Sequence, residues 1–194
     1  IESIIATNSS MNVTAVEATD NFSSVYYKFN ETTGNPGANS SEWQTSRYFL
    51  DEGLTPSTQY CYNVQYKDAA NNTGNRSADA CKCTLANIPT NLQPTEINPT
   101  QIVIEWNANG NPVGTYYNLE RNGSSIYENT ATTYTDSGLI CSSKYSYRVR
   151  AKNCDNIYTN FTSNTTVWTL PETPILNSTT HTVSAVSYTH LRAH

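Results

Sequence analysis

Charge is scarce in this sequence: 11 Lys and Arg and 16 Asp and Glu among 194 residues, for a net charge of −5. A nucleic-acid binder needs a basic stripe, and none is present. Histidine is confined to His181, His190 and His194, so the body of the chain holds no Ser–His–Asp or Cys–His pair. No Gly-rich phosphate loop, zinc-ligand spacing or motif-held carboxylate pair occurs either. No apolar run approaches the ~18 residues that a membrane-spanning helix needs. Helix-period segments of useful length are missing too. These absences predict an all-β, non-enzymatic chain without a cofactor.

What is present is tyrosine and repetition. Fourteen tyrosines against four phenylalanines suit strand faces that are half wet, because the hydroxyl can stay in water. The stretch Leu54-Thr-Pro-Ser-Thr-Gln-Tyr60-Cys-Tyr62-Asn-Val64-Gln-Tyr66-Lys67 is a turn followed by a strand. Tyr60, Tyr62, Val64 and Tyr66 alternate against Cys61, Asn63 and Gln65, the period of two of a half-buried strand. The phrase returns 85 residues later. Asp51, Gly53, Leu54, Tyr60, Tyr62 and Val64 match Asp136, Gly138, Leu139, Tyr145, Tyr147 and Val149, and Thr84-Leu85 matches Thr169-Leu170. Such a period marks a tandem array of one β module.

Both copies resemble the fibronectin type III domain. In that family a Leu, a Pro-containing turn and a Tyr six residues after the Leu open the sixth strand, and the Tyr hydroxyl locks the corner between two sheets. Leu54 to Tyr60 carries this in full; the second copy has Leu139 and Tyr145, with Cys141 in the place of the Pro. Trp106, in Ile102-Val-Ile104-Glu-Trp106, stands where the family has a core Trp on its second strand. The first copy has Ala15 there, so Trp43 or the extra tyrosines must fill the space. The resemblance implies tandem seven-stranded, immunoglobulin-like β-sandwiches.

The resulting division is 1–87 for one module, its start slightly truncated, and 88–170 for the next. Residues 171–185 read as the opening of a third, because Pro171-Glu-Thr-Pro174 restarts the module as Ile88-Pro89 did. Only Ala86, Asn87 and Ile88 link the first two modules, too few for free tumbling. Residues 186–194, Val-Ser-Tyr-Thr-His-Leu-Arg-Ala-His, read in frame like the translated end of a sequencing adapter and are set aside.

Five cysteines in a polar, helix-free chain suggest an oxidising compartment. Cys61 is out of phase with the core tyrosines. A hairpin centred near Asn72 puts Cys81 or Cys83 opposite it, and either can pair with it. Cys141 and Cys154 lie at opposite ends of one extended strand, too far apart to bond. The resembled fold turns the last hairpin loop, and Cys154 in it, toward the preceding module. One reading is an inter-module bond from Cys154 to whichever of Cys81 and Cys83 remains, leaving Cys141 for a partner in the next module; the other is that Cys141 and Cys154 are both free thiols.

Two weaker signals complete the inventory. The same fold brings the loops of Asp20 and Asp68 to one end of the first module, where their oxygens could hold Ca²⁺; Asp and Asn also simply make turns. Eleven Asn-x-Ser/Thr acceptors occur, with loop candidates Asn8, Asn21, Asn30, Asn39, Asn71, Asn75, Asn122, Asn160 and Asn164, and with Asn12 and Asn177 besides. Together these features predict an extracellular or cell-surface spacer or adhesion stalk. Its partners would be neighbouring modules and a protein or glycan ligand. An accessory segment of a secreted hydrolase is the alternative.

Overall fold

A computed structural model describes residues 1–20 and 23–174. Residues 186–194, most of 171–185, Asn21 and Asn177 lie outside the described residues. The described chain is all β, and its thirteen strands divide between two sandwiches.

In the first sandwich, β1 (Ser3–Ala6), β2 (Ser10–Thr14) and β4 (Tyr48–Glu52) form one sheet in the order β1-β2-β4. Facing it are β3 (Tyr26–Glu31), β5 (Gln59–Lys67) and β6 (Ala80–Cys83), in the order β3-β5-β6. All pairings are antiparallel. The alternation read from the sequence is the one that buries Tyr60, Tyr62 and Val64 against Met11, Val13 and Phe29.

The second sandwich has seven strands. One sheet holds β7 (Thr90–Ile97), β8 (Gln101–Asn107) and β11 (Thr133–Ser137); the other holds β9 (Tyr116–Arg121), β10 (Ser124–Asn129), β12 (Lys144–Lys152) and β13 (Thr165–Trp168). The first module lacks a counterpart of β10. A loop takes that place and meets β3 through the Gln44–Tyr27 bridge, the Ser41 amide on the Phe29 carbonyl, and the Ser41 and Ser40 hydroxyls, which accept from the Phe29 and Glu31 amides. Trp43 to Arg47 is irregular, and the Gln44 side chain donates to the Ser46 and Tyr48 carbonyls. Within this loop Gly37 has φ +86°, and a Cβ there would sit 2.1 Å from the Gly53 carbonyl oxygen. Only glycine fits that approach.

The corner tyrosines hold their turns through the backbone. Tyr60 Oη accepts from the Thr55 amide at 2.9 Å and donates to the Pro36 carbonyl at 2.7 Å. Tyr145 Oη accepts from the Ile140 amide at 2.9 Å. Leu54 and Leu139 are buried beside them. Each module also buries an Asp–Tyr pair. Tyr62 Oη donates to Asp51 and Tyr147 Oη to Asp136, both at 2.8 Å. Burial, then the neighbouring carboxylate, pushes both phenols far above the usual tyrosine range.

The missing tryptophan of the first module has a specific replacement. Strand register makes Ala15 the counterpart of Trp106, since Met11 pairs with Asp51 as Ile102 pairs with Asp136. Ala15 is fully buried, and Trp43 is not part of the core. The volume comes from the facing sheet. Tyr66 packs edge-on to Tyr27, with centroids 5.3 Å apart, at the position of Ala151. In the second module Trp106 meets Tyr117 while Ala151 stays small. The modules thus place their large side chain on opposite sheets. Ala15→Trp alone should overpack the first core and cost about 1–3 kcal/mol. Ala15→Trp with Tyr66→Ala should recover most of that loss, as measured by urea unfolding of the two-module chain.

Candidate functional site

The most built feature of the molecule is the junction between the modules. It begins at β6, whose Cys81 lies directly opposite Cys61 and is bonded to it. Two residues on, Cys83 points to the same side of the strand; it bonds Cys154 in the turn that follows β12. This second disulfide crosses from one module to the other. The sequence left both Cys81 and Cys83 open as partners of Cys61. The register decides, because Cys83 faces Gln59. Cys141 is the free cysteine.

Side chains of the same turn reinforce the bond. Asn153 is buried; its Nδ2 donates to the Thr84 carbonyl at 3.0 Å, and its Oδ1 accepts from the Asp155 and Ile157 amides. Asp155 accepts from the Cys83 amide at 3.0 Å and lies 3.7 Å from Lys82 Nζ. That ion pair is partly exposed and contributes little. The hydrogen bonds of Asn153, out of water, count for more.

The linker is tied by asparagines. The Asn87 amide donates to Asn111 Oδ1 at 2.7 Å, and Asn111 Nδ2 returns a bond to the Asn87 carbonyl at 2.8 Å. Asn87 Nδ2 reaches the Asn109 carbonyl, Asn109 Nδ2 reaches the Ile88 carbonyl, and Asn8 Nδ2 donates to Asn87 Oδ1 at 2.7 Å. Asn87 is therefore held from both modules and Ile88 from the second. A cleft of about 290 Å³ runs beside it, lined by Leu85, Ala86, Ile88, Ile157, Tyr158 and Asn160.

The loops of Asp20 and Asp68 do meet. Ser23 Oγ donates to Asp20 at 2.5 Å and accepts from the Ala69 amide at 3.4 Å. Asp68, however, spends its oxygens on Asn72, whose side chain and amide hold its pKa below the ordinary carboxylate value. Among the described residues no three His, Cys, Asp or Glu side chains group as a metal site. The geometry at Asp68 is that of a closed turn.

The glycan acceptors are placed unequally. Asn12, Asn71, Asn75, Asn122, Asn160 and Asn164 are exposed. Asn8 is exposed with its amide on Asn87. Asn30 is buried, its amide bonded to Asn63. Asn39 uses its amide on Gly37 and on the buried Asp51.

One cluster is visible only in the structure. Arg148, Arg150 and Lys152 alternate along β12 and so share its outer face. The Arg150 guanidinium lies 4.0 Å from the Tyr158 ring and 4.4 Å from Phe161; Arg148 lies 4.2 Å from Phe161. Glu120 pairs with Arg148, and Glu128 with Lys152. The alternation was visible in the sequence; the return of Tyr158 and Phe161 over it, from an irregular segment, was not.

Replacing Asn153 by Ala strands two amides and the Thr84 carbonyl. Hydrogen exchange at Asp155 and Ile157 should quicken by about 10-fold or more, for a loss of about 1–3 kcal/mol. An unchanged rate would show that the disulfide alone orders the turn.

Comparison with known proteins agrees with this architecture. Residues 87–168 match the fibronectin type III domain family. Exoglucanase B of Cellulomonas fimi is 30% identical over 126 residues, 58% of this chain and 12% of that enzyme. Chitinase A1 of Niallia circulans is 32% identical over 127 residues, 60% of this chain and 18% of that enzyme. The chain thus spans less than a fifth of these relatives. A two-domain fibronectin type III segment of chicken tenascin superposes with a TM-score of 0.57 at 12% identity, covering 86% of this chain and 97% of the segment. With residues 87–168 matched by sequence and the pair matched by fold, the chain has the architecture of tandem fibronectin type III β-sandwiches.

Proposed function

We propose that the pair is a non-catalytic, semi-rigid spacer within a longer extracellular protein. The observation that carries this is the Cys83–Cys154 bond across a three-residue linker. A bond that joins two independent cores adds nothing to either core, but it fixes their relative direction. Two disulfides also favour an oxidising compartment. ¹⁵N relaxation should give one rotational correlation time for both modules. The Cys83→Ser, Cys154→Ser pair should show two shorter times, and independent tumbling of the unaltered chain would overturn the reading.

The relatives fit a setting beside a polymer-degrading domain as well as an adhesion stalk, since both enzymes are named for work on a glycan polymer. In such a setting the pair sets the distance between a catalytic domain and whatever anchors it. Deleting residues 1–170 from the parent enzyme should leave turnover of a soluble oligomer unchanged and lower turnover of the insoluble polymer. Equal loss on both substrates, or a parent without a catalytic domain, would overturn this setting.

A further inference from the structure

The 85-residue repeat permits the two modules to be compared face by face, and one face differs sharply. In the first module the end formed by Ser57, Cys83, Thr84 and Leu85 lies under the β12 turn of the second. Cys83 is 1% exposed and bonded to Cys154, and Cys154 Sγ lies 3.9 Å from the Ser57 carbonyl oxygen. Leu85 lines the junction cleft with Ile157 and Tyr158. The corresponding end of the second module is built the same way. Thr169 Oγ1 bonds the Ile140 carbonyl as Thr84 Oγ1 bonds Thr55, and the Ser142 amide reaches Leu170 as Ser57 reaches Leu85.

Nothing among the described residues covers that second end, and it is more apolar than the first. Trp168, at the position of Cys83, is 60% exposed; Leu170 is 48% exposed and Ile140 is 70% exposed. Cys141 lies in the same turn, at the position of Pro56. An exposed grouping of this kind marks an interaction surface.

We infer that this end seats the β12-type turn of a third module of the same parent chain, as the end of the first module seats the turn around Cys154. The inference rests on the spacer reading. Two observations select this occupant. Pro174 stands 85 residues after Pro89, so the repeat continues in phase beyond Leu170. Pro171, Glu172 and Thr173 match Ala86, Asn87 and Ile88 in number, so a following module is held as close as the second is to the first. A short linker of equal length presents the same edge of the next module to the same end of the last. The contact is of another kind, however. A large aromatic stands where the first junction has a disulfide, so the second junction is closed by apolar burial.

The test compares residues 1–174 with the parent chain expressed through the module that starts at Pro174, using hydroxyl-radical footprinting read by mass spectrometry. Trp168 and Leu170 should label strongly in the shorter chain and lose most of that labelling in the longer one. Trp168→Ser, at an exposed position that leaves the core intact, should restore labelling at Leu170 in the longer chain. Equal labelling in both chains overturns the inference, as does a parent sequence with no such module. Protection of Trp168 in the shorter chain with dimer formation also overturns it, assigning the face to a second copy. The spacer reading fails separately, by independent tumbling of the first two modules.

Discussion

Three linker residues are too few to hold two sandwiches apart, and much of the molecule follows from that. The turn after β12 must land on the end of β6, where backbone groups of both modules lose contact with water. Each such group then needs a partner. Asn153 supplies one for Thr84, Asp155 for the Cys83 amide, and Asn111 and Asn109 for the linker itself. The disulfide fixes the direction of one module on the other, and the hydrogen bonds satisfy the groups that this arrangement takes out of water. Asparagine suits the task because a single amide can donate and accept at once.

Inside each module the governing constraint is volume. A core of this size is filled to crystal-like density, so a small residue in one place demands a large one nearby. Ala15 with Tyr66 and Trp106 with Ala151 are two solutions to one packing problem. The Asp–Tyr pairs show the same economy with polar groups. Asp51 and Asp136 are buried, and each is tolerated because a tyrosine and a further donor satisfy it: Asn39 in one module, Arg121 in the other. The repeat therefore preserves each task while moving it between positions.

The outer surface of the second module is where the copies part most. Gln65 and Asn63 of the first module stand where the second has Arg150 and Arg148, and Phe161 and Tyr158 have no aromatic counterparts at Arg76 and Thr73. Cation–aromatic contacts of this geometry stiffen a face that a loop would otherwise leave loose. That face borders the junction cleft through Tyr158. The turn that carries Cys154 leads directly into Tyr158, so these contacts adjoin the inter-module bond.

The sequence by itself determined the strands, the repeat and the corner tyrosines, because a period of two and a fixed offset are properties of order along the chain. It also brought Cys61 within reach of two candidates, since a hairpin's register is local. Tertiary structure alone decided which one, by a single residue of pairing between β5 and β6. It alone showed Tyr66 packed on Tyr27 in the core that buries Ala15, because the two positions lie 51 residues apart and on different sheets. The arginine–aromatic face and the asparagine-tied linker were likewise out of sequence's reach. Their members come from segments without periodicity, and only the closed fold places one beside another.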